Sequence, residues 1–171
     1  HVTPDPHHAG RWRMFYTGLS RKDRGLKQRI GVAFSDDLYH WKKSPVHWQD
    51  TRGPKVPPLE KEARAWLKGK SSSLICSPHD EQSCFPLTPH PEYYEASLDD
   101  ERNWISFRDP FYFWDDEHRE GWLLMAAREN HGPLVRRGCV CVMKEESPDC
   151  FAARPPLHAQ QIYDDIDDPN L

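Results

Sequence analysis

Glycine is scarce in this chain, nine residues among 171, and no apolar run approaches the ~20 residues that a membrane-spanning helix needs. Nothing therefore reads as a transmembrane helix, and no membrane partner is expected. No glycine-rich phosphate loop appears, and Ser20, Ser35 and Ser73 lack the context of a nucleophile elbow. Five cysteines is an odd number, so a complete internal disulfide set is impossible. Cys139 and Cys141 share one face of an apparent strand, where neighbours rarely bridge. Cys76 and Cys84 could pair within their loop, Cys150 is unassigned, and the cysteines read mainly as small core residues. No Cys/His spacing matches a zinc site, and the ten histidines are scattered; no metal and no cofactor is expected.

Hydrophobic content is also low, at 37% with a mean hydropathy of −0.88. The net charge is −4 and the basic residues are dispersed, which excludes an evident nucleic-acid surface. The basic stretch SRKDRGLKQR (20–29) reads as a solvated hairpin loop. What the chain does have is seven tryptophans, 12% aromatic residues and sixteen prolines. That combination predicts many turns and few long helices.

The most informative feature is a repeat. RWRMFYTG (11–18), RIGVAF (29–34) and SDDLYHWKKSP (35–45) recur as a skeleton 110 residues later. Trp12 falls on Trp122, Ile30 on Val140, Val32 on Val142, Trp41 on Phe151 and Pro45 on Pro155. Trp12, Met14 and Tyr16 alternate onto one face, as in a strand. The repeated aromatics Trp12, Trp41, Trp122 and Phe151 are expected in the core. His1-Val2-Thr3 falls on Phe111-Tyr112-Phe113, so the chain reads as an excerpt that enters a unit within its first strand.

Four short strands repeated as a unit predict β-propeller blades. The expected fold is all-β: a partial five-bladed propeller of about two four-stranded blades. Residues 1–45 form the first blade and residues 92–160 the second. Residues 161–171 begin the next. Residues 46–91 lack alternation and read as an insertion, mostly surface loop, with a short helix at LEKEARAWLKG (59–69). Without the insertion each unit has roughly 60 residues, a little above a four-stranded repeat. Two blades cannot close a ring.

The stretch WISFRDPFYFW (104–114) puts a carboxylate and a proline among apolar residues. Proline is tolerated where a ladder is only starting, so the spacing predicts a strand beginning at Arg-Asp-Pro. Asp109 would then project into the central funnel. YDDIDDPNL (163–171) repeats the device for the following blade. Two acids aimed at one axis could supply the paired carboxylates of glycoside hydrolysis.

MFYTG (14–18), QRIGVAFSDDLYHWKK (28–43), FRDPFYFW (107–114), GWLLMAAR (121–128) and RPPL…YDDIDDPNL (154–171) together resemble the five-bladed propeller glycosidases. Glycoside hydrolase family 32 and its relatives (β-fructosidases, invertases, levansucrase-like enzymes) are the nearest match. The resemblance implies that Asp109 stabilises an oxocarbenium-like transition state through sugar hydroxyls, with Arg108 beside it. It implies that Asp167 occupies the acid/base position. There the family carries a Glu-x-Pro glutamate, and this chain has the shorter Asp167-Asp168-Pro169. The family's nucleophilic aspartate would lie upstream of His1. Trp104, just before the motif, is the candidate for stacking on a sugar ring. The expected partner is a carbohydrate substrate, most simply a β-fructofuranoside. An arabinan- or xylan-type glycosidase, a non-catalytic sugar-binding propeller and a truncated inactive relative remain alternatives. An extracellular location is suggested only by the resemblance.

Overall fold

The computed structural model describes residues 1–21, 23–43, 85–98 and 104–159. They form two four-stranded antiparallel sheets in simple meander order. The first comprises β1 (Val2–Pro4), β2 (Trp12–Leu19), β3 (Gln28–Ser35) and β4 (Lys42–Lys43). The second comprises β5 (Phe107–Asp115), β6 (Glu120–Arg128), β7 (Gly138–Ser147) and β8 (Cys150–Ala159), with one 3-10 turn at Leu134–Arg136. The fold is all-β, a partial propeller of two consecutive blades stacked face to face. The 59–69 segment, Cys76, Cys84 and Asp167 lie outside the described residues.

Two of the turns use one device. At the β3–β4 turn Asp37 Oδ1 accepts the backbone N–H groups of Tyr39 and His40 at 2.9 and 2.7 Å, and the His40 ring lies 2.7 Å from Oδ2. At the β5–β6 turn Asp115 does the same for Glu117 and His118. A side chain that mimics a backbone acceptor closes a turn that its own peptide groups cannot satisfy. These bonds hold both carboxyls below the usual carboxylate range, with the histidine hydrogen bond as the largest cause in each.

The core lies between the sheets. Phe15, Ile30 and Val32 meet Tyr112, Leu123, Met125, Cys139, Cys141, Met143 and Phe151. Phe15 stacks on Tyr112 at 5.2 Å between centroids and meets Phe151 edge-on. Phe85 and Leu87 also belong to this core, and Leu87 exchanges both backbone hydrogen bonds with Ile30. The described end of the 46–91 segment is therefore core at Phe85 and Leu87, where surface loop was expected. Trp12, Trp41 and Trp122 are only half-buried, and of the four repeated aromatics Phe151 alone is enclosed. The inward face of β2 is the other one, carrying Arg13 and Phe15.

The single spacing of 110 does not hold in every strand. Phe15 pairs with Val32, whereas Val142, 110 beyond Val32, pairs with Leu124, which is 109 beyond Phe15. With the third strand kept at 110, Trp12 therefore matches Gly121 rather than Trp122. One residue changes which face a side chain takes. A Cβ at Gly121 would overlap the Tyr112 hydroxyl and the Glu145 carboxylate, so no tryptophan could stand there.

The basic 20–29 stretch is not simply solvated. Asp23, Lys27 and Arg29 are buried. Arg29 pairs with Asp23 at 2.5 Å, and Lys27 Nζ donates to the Ala96 carbonyl. Burial of such groups requires partners of this kind.

Candidate functional site

β5 starts at Phe107, so the Arg-Asp-Pro triplet stands at the head of the strand, as expected, and the ladder is interrupted there. Arg108 pairs with Ala126 and Phe111 with Leu124, and the register shifts between them. Asp109 and Pro110 thus occupy a bulge in a strand that is first in its sheet. The missing proline N–H is tolerated in such a place. Asp109 has φ of +56°, a left-handed conformation that aspartate adopts more readily than most residues. Its N–H donates to Thr17 Oγ1 of the other sheet at 3.1 Å. The bulge also breaks alternation: Arg108 and Asp109 are consecutive, yet Arg108 Nε lies 3.3 Å from Asp109 Oδ2.

Asp109 lines an open cleft of about 610 Å³ between the two innermost strands, with His1, Tyr16, Thr17, Pro110 and Phe111 among the walls. The Asp109 carboxylate is 55% exposed, and the His1 ring lies 4.7 Å from the Phe111 ring. Burial raises the Tyr16 phenol above its ordinary range, which keeps it protonated. The cleft therefore presents an exposed acceptor carboxylate beside the exposed apolar surface of Phe111. Asp109 is its one acidic group among the described residues. Hydrolysis by paired carboxylates needs a second. Asp167 lies outside the described residues, and among them no group of His, Cys, Asp and Glu is arranged to hold a metal ion.

Trp104 precedes β5 and is 40% exposed. Its carbonyl accepts from Arg128 Nη1 at 3.0 Å, and the Arg128 guanidinium lies 5.2 Å from the indole centroid.

No protein-family profile matches the chain, and no curated protein matches it. Among solved structures it is similar to the Bombyx mori GH32 beta-fructofuranosidase BmSUC1. The identity is 13% and the TM-score 0.47, over 91% of this chain and 22% of that one. The chain thus spans about a fifth of that protein's length.

Sequence reasoning missed the charged cluster at the other end of the seam. Arg13 is fully enclosed and reaches Glu145 Oε1 at 3.0 Å and Oε2 at 3.4 Å across the sheets. Asp5 and Asp149 lie 3.8 Å from the same guanidinium. Tyr112 donates to Glu145 at 2.5 Å, and His7 Nε2 lies 3.3 Å from it. Burial is the main cause that pushes the Asp149 carboxyl and the Tyr112 phenol up. The signal was present: Arg13 sits at an inward position of an alternating strand, beside Phe15. Four residues along β2 separate Arg13 from Thr17, about 13 Å. The cluster holds the blades together and stands apart from the Asp109 cleft.

Proposed function

We propose that this chain forms part of the sugar-binding wall of a propeller glycosidase that hydrolyses O-glycosyl bonds, with β-fructofuranosides as the first substrate class. Asp109 accepts hydrogen bonds from sugar hydroxyls and stabilises the positive charge that develops at the anomeric carbon. Arg108 orients the Asp109 carboxylate at the sugar site through their ion pair. Asp167 supplies the proton to the departing oxygen, and Trp104 stacks on a sugar ring.

The observation that carries this reading is the bulge at Asp109. Five of the described non-glycine residues have a left-handed φ, and Asp109 is the one that stands inside a strand, at a register shift, rather than in a turn. Backbone strain of that kind gathers at functional sites. Here it turns an acidic side chain from an apolar strand into an open cleft beside aromatic surface. The order of the matching motifs along the chain supports the same reading.

A non-catalytic sugar-binding propeller is the second reading. It is favoured by the single carboxylate in the cleft among the described residues and by aspartate at position 167. One experiment separates the two. The full-length gene product is incubated with sucrose, inulin and arabinan while released sugar and sugar binding are both measured. Release from sucrose or inulin supports the fructosidase, and release from arabinan alone moves the substrate class to pentosans. Binding without release supports the second reading, and neither binding nor release overturns both.

A further inference from the structure

Trp104 keeps 40% of its surface exposed, which leaves part of the indole open to a ligand. It is tied from both sides of the seam. Its carbonyl accepts from Arg128 Nη1 of the second sheet. The next residue, Ile105, donates to the Leu26 carbonyl and accepts from Gln28 N–H of the first sheet, at 2.8 and 3.1 Å. Arg128 is 3% exposed, and its guanidinium lies against the indole. A buried guanidinium is held in place only if its charge is met. The buried Glu95 does that, with Oε1 3.8 Å from Arg128 Nη1. Glu95 N–H also donates to the Arg128 carbonyl at 2.8 Å. On its far side Arg137 Nη1 stands 3.7 Å from Glu95 Oε2.

We propose that Arg128, clamped by Glu95, is the positioning residue that fixes the Trp104 indole as a rigid stacking platform for a sugar ring, five residues before Asp109. The guanidinium does two things at once. It anchors the backbone that carries the ring, and it supports the ring by a cation–π contact. A pre-oriented ring binds without losing further side-chain freedom, which lowers the entropic penalty of association. The sugar-platform role rests on the glycosidase reading; the fixing of the ring does not.

The test is fluorine NMR on protein labelled with 5-fluorotryptophan, with Trp104→Phe identifying the Trp104 line among the seven tryptophans. In the unaltered protein the Trp104 line is expected to relax like those of the more enclosed tryptophans. Relaxation like that of a free indole overturns the proposal without any variant. In Arg128→Met and Glu95→Gln the Trp104 line is expected to move toward the free-residue position and relax more slowly, while the other six lines stay in place. Arg128→Lys, the milder change, is expected to restore part of the shift but not the fixed orientation. An unmoved Trp104 line in a folded Arg128 variant overturns the proposal. Inulin oligosaccharide is then added. A shift of the Trp104 line in the unaltered protein, with affinity about tenfold weaker in Arg128→Met, supports the platform role. A rigid Trp104 that does not respond to sugar leaves the fixing of the ring intact and overturns its platform role, while the release and binding measurements decide the glycosidase reading separately.

Discussion

Replacing Glu145 by leucine probes the seam on which the whole arrangement depends. Its carboxylate receives Arg13 Nη1 at 3.0 Å and Nη2 at 3.4 Å, the Tyr112 hydroxyl at 2.5 Å and the Asp149 N–H at 2.9 Å. The guanidinium opposite is fully enclosed and lies over the Tyr112 ring at 4.5 Å. Glu145→Leu leaves Arg13 with Asp5 and Asp149, each 3.8 Å away, and strands the Tyr112 hydroxyl. Breaking a buried pair by removing one partner costs about 3–5 kcal/mol. The remaining carboxylates place the expected loss near the lower end, about 3 kcal/mol. Urea unfolding at pH 7 measures it, read as a lower midpoint at unchanged slope. The double variant Arg13→Met, Glu145→Leu should recover much of the loss, because apolar isosteres of a buried pair are often neutral or better. A loss below about 1 kcal/mol in the single variant, or double-variant losses that simply add, would refute the seam as described.

Other outcomes follow from the same geometry. Because burial raises the Asp149 carboxyl in the folded chain, its contribution is fully present below the unfolded carboxylate range and is lost as pH rises through the raised value. Asp149→Asn should therefore increase stability at pH 7 and flatten that part of the pH profile, and asparagine also tolerates the φ of +64° there. Thermal melts from pH 4 to pH 8 check the sign. Gly31→Ala places a Cβ 2.6 Å from Tyr16 Cζ, forcing the ring aside at about 1–3 kcal/mol and narrowing the Asp109 cleft. Weaker sugar binding without a matching change elsewhere in the fold is the expected readout. Asp37→Ala should speed amide exchange at Tyr39 and His40. In the unaltered protein this protection should survive acidification below the usual carboxylate range, since the Asp37 carboxyl is held lower.

The strands were legible from the alternation of Trp12, Met14 and Tyr16 and from short apolar runs such as FYFW (111–114) and WLLMAA (122–127) separated by turn residues. The blade count followed from repetition. The orientation of individual strands was harder to read. A match of Trp12 to Trp122 by residue type is one place out, because the small residue demanded beside Tyr112 and Glu145 is Gly121. The left-handed turn at Asp109 had no local marker, since aspartate before proline also reads as an ordinary strand start. Arg13 and Glu145 are 132 residues apart, and no periodicity links two charges that meet only across packed sheets. Phe85 and Leu87 were hidden by prolines and polar neighbours that make the segment look like loop.

The central claim is that the bulge at Asp109 delivers a working carboxylate to a sugar site between the two inner strands. Steady-state kinetics of the full-length gene product and its Asp109→Asn variant on sucrose and inulin test it most directly. The account predicts that kcat falls by about 10²-fold or more while the urea midpoint stays put, because the side chain is exposed and its N–H, not its carboxylate, joins Thr17. Unchanged kcat in the variant would contradict it.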